Sequence, residues 1–247
     1  MRTLIRTSAC AFVTMLATVA SASAQAPAPP AKALAATASA GLALTKGNKD
    51  TSTVNIGYEL AYVPKTRNVI KSDGLFLRGK TEGDLTTDRL GLNGRDEYKI
   101  HDGAFVFGQV QYLADQFKNI DHLVATTIGL GYRLADTPRT KLSADAGAGG
   151  VWEKRLSGAV QKAGALTLGE KLTHQLSASA ALSQSFAALY RMNNFDDALY
   201  TVGASLAASV TARTQLKVEV LDTYKTLVVP GIEKNDVALI VGMVFKR

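Results

Sequence analysis

The chain alternates apolar and polar residues over many short segments. In the last of them, 237–245, the apolar set is Val237, Leu239, Val241, Met243 and Phe245. Segments 54–62 and 124–134 repeat the pattern, the second with glycine, threonine and arginine at the intervening positions. Successive side chains of a strand point to opposite faces, so this period of two predicts strands with one apolar and one polar face.

Clusters of Gly, Pro, Asn and Asp between these segments predict about twelve strands. We place them near 35–45, 51–63, 68–81, 86–100, 103–115, 122–134, 140–154, 168–183, 185–193, 198–210, 214–225 and 235–245. The predicted fold is therefore all-β, a single antiparallel up-and-down barrel. An even number of strands puts both chain ends on the same side of such a barrel.

Two kinds of barrel are compatible with alternation. In a membrane every backbone N–H and C=O must be paired internally, so a spanning chain without a long apolar helix must close into a transmembrane β-barrel with an apolar outside. A soluble periplasmic barrel would instead turn its apolar face inward around an apolar ligand. The longer predicted loops 116–121, 155–167 and 226–234 all fall at one rim, which favours the outer-membrane barrel.

The amino terminus resembles an export signal. Arg2 and Arg6 precede an apolar run over 9–20, and the small residues Ala22, Ser23 and Ala24 follow it. We therefore expect a signal peptide at 1–24, a flexible Ala/Pro-rich lead at 25–34 and the barrel at 35–247, located in the outer membrane of a Gram-negative bacterium. Cys10 is the only cysteine and lies inside the apolar run, so the mature chain has neither a disulfide nor a thiol nucleophile.

The net charge and its distribution limit the classes of partner that we expect. The formal net charge is +7, but the sequence has no basic helix and no aromatic residues interleaved with basic ones, as nucleic-acid binding would require. We expect contacts with outer-membrane lipid and the phosphates of lipopolysaccharide, with the barrel-assembly machinery, and with small solutes.

The polar face of the strands supplies the candidate site. On the predicted register, the charged residues that line the lumen are Glu59, Arg78, Lys80, Arg95, Glu97, Arg133, Asp145, Glu153, Lys217 and Glu219. Opposite charges pair readily inside a narrow barrel, and both signs are mixed here. This predicts a narrow or occluded lumen rather than a general porin, which needs 16 to 18 strands.

Catalytic and metal-binding patterns are weak. A barrel lipid hydrolase would need a serine and a histidine together, but His174 and Ser177 fall on opposite faces of the predicted strand. Asp196 and Asp197 follow two asparagines, a pattern more typical of a turn than of a calcium site. We therefore predict a non-enzymatic protein without cofactor or metal.

Several glycine-rich motifs bear a family resemblance. They are Gly41 with Gly47-Asn48, Asp115-Gln116-Phe117 with Ile120-Asp121, Gly129-Leu130-Gly131-Tyr132-Arg133, and Gly147-Ala148-Gly149-Gly150-Val151-Trp152-Glu153. In order and spacing the chain resembles the family called salt-induced outer membrane proteins, barrels of unknown function. The resemblance implies the location and fold, suggests a link to salt or osmotic stress, and brings no catalytic residues. Gly242 and Phe245 are the expected assembly signal, although Lys246 and Arg247 follow them.

Overall fold

A computed structural model describes residues 34–45, 51–64, 66–156, 158–228 and 233–246. The predicted signal peptide, and the predicted lead up to residue 33, lie outside the described residues. Within the described part of the chain, none of the helical segments has the length and hydropathy needed to cross a bilayer.

The described residues form a closed barrel of twelve antiparallel strands, as predicted. Each strand pairs with its neighbours in sequence, and the last returns to the first. The strands are β1 (Leu34–Thr45), β2 (Thr51–Tyr62), β3 (Asn68–Thr81), β4 (Asp84–Lys99), β5 (Ala104–Asp115), β6 (Ile120–Asp136), β7 (Thr140–Arg155), β8 (Gln161–Gln175), β9 (Ala180–Arg191), β10 (Asn194–Ser209), β11 (Thr214–Lys225) and β12 (Asn235–Lys246). A 3₁₀ turn, Gln116–Lys118, connects β5 to β6.

The barrel has two rims that differ in their connections. We call the rim with the connections 116–119, 156–160 and 226–234 the loop rim, and the rim with Leu34, Lys246 and the turns at 100–103, 137–139 and 176–179 the terminal rim. The half of the lumen next to each rim takes the same name.

The outer surface carries the predicted apolar rows. Leu130 and Leu239 are 63% and 64% exposed, and the other alternate residues of β6 and β12 share their face. Aromatic side chains occupy this face at two levels. Tyr62, Tyr98, Tyr132 and Phe245 lie toward the terminal rim, and Trp152, Tyr190, Tyr200 and Tyr224 lie toward the loop rim. Aromatic girdles at two levels are typical of barrels that span a membrane.

The strand boundaries around β8 and β9 differ from the prediction. Residues 176–179, placed inside a strand by the sequence, form the turn between the two, and Gln184, predicted as a turn, lies within β9. The Ser177 hydroxyl accepts hydrogen bonds from the backbone N–H groups of Ser179 and Ala180 and so closes the turn without glycine or proline. As a result β8 begins earlier, and the predicted loop 155–167 shortens to 156–160.

The seam that closes the barrel is short. Among the described residues, β1 pairs with β12 from Thr37 with Lys246 to Ala40 with Met243, whereas β1 and β2 pair along their full length. Beyond this ladder, a side chain at Gly41 would collide with the backbone carbonyl oxygen of Val241. Glycine is required here because the two strands approach closely at the point where their pairing ends.

Candidate functional site in the barrel lumen

One wall of the terminal half carries a polar network centred on Arg95 of β4. Its guanidinium donates to Glu97 (Nε to Oε1, 3.0 Å), to Gln109 (2.9 Å) and to Asp145 of β7 (Nη2 to Oδ2, 2.9 Å). Lys71 of β3 also reaches Glu97, with 2.7 Å between Nζ and Oε1. The strands β5 and β6 lie between Arg95 and Asp145, so this ion pair crosses the inner surface of the wall.

The glycines of the family-like motifs make room for this network. The ring of Phe107 lies over Gly129 and Gly147, and that of Phe105 lies over Gly131, where added side chains would collide with the rings. Arg95 then stacks on Phe107 with 3.7 Å from its guanidinium carbon to the ring centroid, and Arg133 lies over Phe105 at 5.5 Å. Glycine, phenylalanine and arginine thus form three layers, in which each arginine gains a cation–π contact.

The loop half holds a second network, centred on Glu153 of β7. Its carboxylate accepts from Lys225 of β11 at 2.8 and 2.9 Å and from Arg191 of β9 at 2.5 Å. Arg191 also pairs with Asp197 at 3.0 Å. Glu153 is 1% exposed, and a carboxylate so deeply buried is stable only when cations compensate it.

A third group lies beside it. Lys118, from the 3₁₀ turn, points into the barrel and donates to Asp236 of β12 (2.9 Å) and to the backbone carbonyl of Glu233 (2.8 Å). Asp115 caps this turn by accepting from the backbone N–H groups of Phe117 and Lys118. Arg89 of β4 donates to the Thr223 hydroxyl on β11.

These contacts join opposite walls of the barrel. β7 and β11, which Glu153 and Lys225 connect, have β8, β9 and β10 between them, and β4 and β11 are separated by β3, β2, β1 and β12. The largest fully buried side chains, Lys118, Ile120, Glu153, Val151 and Thr223, all lie in this half. Side chains from facing walls therefore meet across the loop half of the lumen.

Apolar residues also point into this half, and they correct part of the prediction. Leu77 of β3 packs against Leu221 and Ile240 in the lumen. The prediction that Arg78 and Lys80 line the lumen is therefore wrong: Arg78 pairs with Val54 and Lys80 with Ser52, on the outer face. The predicted faces of β3 were reversed because, near the loop rim, this strand carries apolar residues inward and charged ones outward.

The other predicted residues occupy the lumen face or the seam. Arg95, Glu97, Arg133 and Asp145 lie together in the terminal half, and Glu153 lies in the loop half. Lys217 pairs with Glu219 at 2.9 Å and approaches Glu59 at 3.8 Å. Gly242 lies against the backbone of Ala40 at the seam, and Phe245 is exposed on the outer face.

Several residues of the loop-half networks escaped the sequence reasoning. Arg191 and Lys225 lie at the ends of their strands. The segments around Arg89, Lys118 and Asp236 do not alternate clearly enough to assign these residues to a face. For Lys225 a signal existed, since it continues the inward series of Lys217 and Glu219 in steps of two residues. Leu221 belongs to the same series but is apolar, so the series of inward charged residues is interrupted before Lys225.

The groups considered for catalysis and metal binding have other partners. His174 Nδ1 lies 2.8 Å from the Thr140 hydroxyl, while Ser177 is engaged in its turn. The described residues contain no cluster of three or more His, Cys, Asp or Glu side chains able to hold a metal ion. At the terminal rim, a hydrogen bond from Lys99 holds the pKa of the Asp102 carboxyl below its usual value.

Comparison with known proteins finds similar barrels among solved structures. The NanC porin, 10% identical, superposes with a TM-score of 0.52, covering 87% of this chain and all (100%) of its own. The KdgM porin, 7% identical, gives a TM-score of 0.43 over 86% of this chain and 98% of its own. A search of the curated proteins finds no relative of this chain by sequence. Residues 38–246 match the profile of DUF481, a family of proteins of unknown function, and the chain belongs to that family.

Proposed function

We propose that this protein is a non-enzymatic outer-membrane barrel that serves the envelope as a structural element or as a narrow, normally closed passage for small solutes. The observation that carries the proposal is the buried network of Glu153, Lys225 and Arg191 in the loop half. It joins facing walls of the lumen, where an open pore would need water.

The outer surface supports the membrane setting. Ile128, Leu130 and Leu134 are among its most exposed side chains, and the lumen face of the same strand carries Thr127, Gly131 and Arg133. A soluble barrel with an apolar ligand inside would reverse these faces, because water would then contact the outside. In the proposed orientation the loop rim faces the cell exterior and the terminal rim faces the periplasm.

Conductance across planar bilayers tests the closed lumen. We expect the wild-type protein to insert with little steady conductance, and the double variant Lys225→Ala/Arg191→Ala to open a larger one, because it removes the cations that cross the loop half. Glu219→Gln is the matched control, since it changes a charge in the terminal half that does not join facing walls at the loop rim.

Two results would contradict the proposal. A wild-type conductance as large and steady as that of a general porin would exclude a closed lumen. An unchanged conductance in the double variant, with the barrel still folded, would show that the network is not the constriction. Folding is checked for every variant by electrophoresis in detergent, boiled against unboiled, because a folded membrane barrel changes mobility on heating.

The finer parts of the proposal have their own tests. Fractionation should recover the chain, without residues 1–24, in the outer membrane, and truncation after Gly242 should impair assembly if Phe245 belongs to the signal read by the assembly machinery. The link to salt stress rests on the family resemblance. If a deletion strain grows like its parent at high osmolarity, the link to salt stress is excluded.

A further inference from the structure

A cavity of about 190 Å³ lies inside the loop half of the barrel. It is bounded by β3 and β4 on one side and by β11 and β12 on the other. Its apolar wall consists of Leu77, Phe117, Leu221, Val237 and Ala238, and its polar wall consists of Thr86, Thr87, Arg89, Asp115, Thr223 and Asp236.

Arg89 is the incompletely paired cation of this wall. Its guanidinium has five N–H donors, yet within the described residues its contacts are the Thr223 hydroxyl and a carboxylate oxygen of Asp115 at 4.0 Å, beyond hydrogen-bond reach. By contrast, Arg95 donates to two carboxylates and an amide. The Arg89 side chain is only 14% exposed, so bulk water does not replace the missing acceptors fully.

The two nearby carboxylates are engaged elsewhere. Asp115 Oδ1 accepts from two backbone N–H groups of the 3₁₀ turn, and Asp236 pairs with Lys118 at 2.9 Å. Asp115 Oδ2 is the carboxylate oxygen that faces Arg89, and at 4.0 Å it lies too far for a hydrogen bond, so donors of the guanidinium remain beside the cavity. An acceptor oxygen placed in the cavity would satisfy them.

The opposite wall of the cavity is apolar and favours a ligand with an apolar part. Leu77 and Leu221 are buried in one cluster, and Ala238 of β12 packs against it. Val237, a member of the lipid-facing row, also borders the cavity near the edge of β12 beyond the residues that pair with β1. In the proposed membrane orientation, this wall therefore lies next to the lipid-facing row.

We propose that this cavity is a binding site for a small apolar molecule that carries one oxygen acceptor, such as a short-chain carboxylate or alcohol. Arg89 donates to the oxygen, with Thr223 beside it, and Leu77, Leu221 and Ala238 enclose the apolar part. The site is independent of conductance, since it needs only the folded barrel.

Saturation-transfer NMR on the full protein in detergent tests the site with three probes of equal chain length, namely hexanoate, hexanol and hexylammonium. We expect transfer to hexanoate and hexanol and at least about tenfold weaker binding of hexylammonium, which has no acceptor and repels the guanidinium. Arg89→Met keeps the length of the side chain but removes the donors, and should weaken hexanoate binding by about tenfold or more.

Leu221→Phe is the second variant, because it fills the cavity and retains Arg89. It should abolish transfer to every probe, and it also measures binding to the detergent alone. Lys217→Met, which removes a lumen cation in the terminal half, is the matched control and should bind like the wild type.

The proposal is overturned if the wild type transfers no more saturation than Leu221→Phe, if Arg89→Met binds hexanoate normally, or if hexylammonium binds as well as hexanoate. Should Arg89→Met fail to give the heat-modifiable band, Leu221→Phe and the three probes decide. A closed, non-conducting barrel that binds no probe would refute this site and leave the proposed function intact.

Discussion

Replacing Glu153 by alanine should destabilise the barrel more than any other single removal of charge from the lumen. The carboxylate is 1% exposed and contacts Lys225 and Arg191, themselves 3% and 4% exposed. Its removal would leave Lys225 buried without a carboxylate, while Arg191 would keep Asp197. Breaking a buried pair by removing one partner costs about 3 to 5 kcal/mol, and the remaining contact of Arg191 argues for the lower end, about 3 kcal/mol.

Urea unfolding in lipid vesicles measures this loss, with the fluorescence of Trp152 as the probe. Trp152 is the only tryptophan, lies on the outer face next to Glu153, and would leave lipid on unfolding. Glu219→Ala is the control. Its partner Lys217 is a quarter exposed (25%), so solvent screens the pair and the expected loss is below about 1 kcal/mol.

A double replacement separates the cost of burying charge from the value of the contact. Lys225→Met combined with Glu153→Met fills similar volume without charge, and such exchanges are often neutral or stabilising. Equal losses in Glu153→Ala and Glu219→Ala would refute the reasoning, because they would mean that water reaches the loop half as freely as the terminal half.

Two further predictions test the outer face and the layered wall. Leu130→Arg, which puts a charge into the exposed apolar row, should cost about 2 to 4 kcal/mol or block assembly, whereas Ser185→Arg on the solvent-accessible lumen face should be tolerated; equal urea midpoints in vesicles would contradict the assignment of faces. Gly131→Val should displace the Phe105 ring and with it the Arg133 contact, destabilising the barrel by about 1 to 3 kcal/mol; Ala146→Val, on the outer face of the neighbouring strand, is the control and should lie within about 0.5 kcal/mol of the wild type.

The outer face was the predictable part of this fold. In β6 and β12 each outward residue from Val124 to Leu134 and from Val237 to Phe245 is compatible with lipid, so period-two alternation is complete and assigns the register. In β3 the same rule failed. A lumen accepts apolar side chains where they meet across it, so Leu77 points inward and Arg78 outward near the loop rim.

The partners within the lumen could not be read from the sequence, for a geometrical reason. Arg95 and Asp145 become neighbours because the sheet curves across β5 and β6, and Glu153 and Lys225 because it closes and brings distant strands face to face. No sequence periodicity records such pairs. The turn at Ser177 was not predicted for a local reason: a hydroxyl acceptor takes the place of the glycine or proline that usually marks a turn.

The two halves of the lumen use charge in different ways. In the terminal half, the ion pairs around Arg95 lie along one wall, on phenylalanine rings that rest on glycines. In the loop half, Glu153 and Lys225 span the interior, and Leu77 meets Leu221 across it. The loop half is therefore the more deeply buried end of the lumen: Glu153 is 1% exposed, whereas the Lys71 side chain of the terminal half is 40% exposed. In the proposed function, passage is controlled where Glu153 meets its cations, and in the proposed cavity beside them Arg89 offers donors to a ligand.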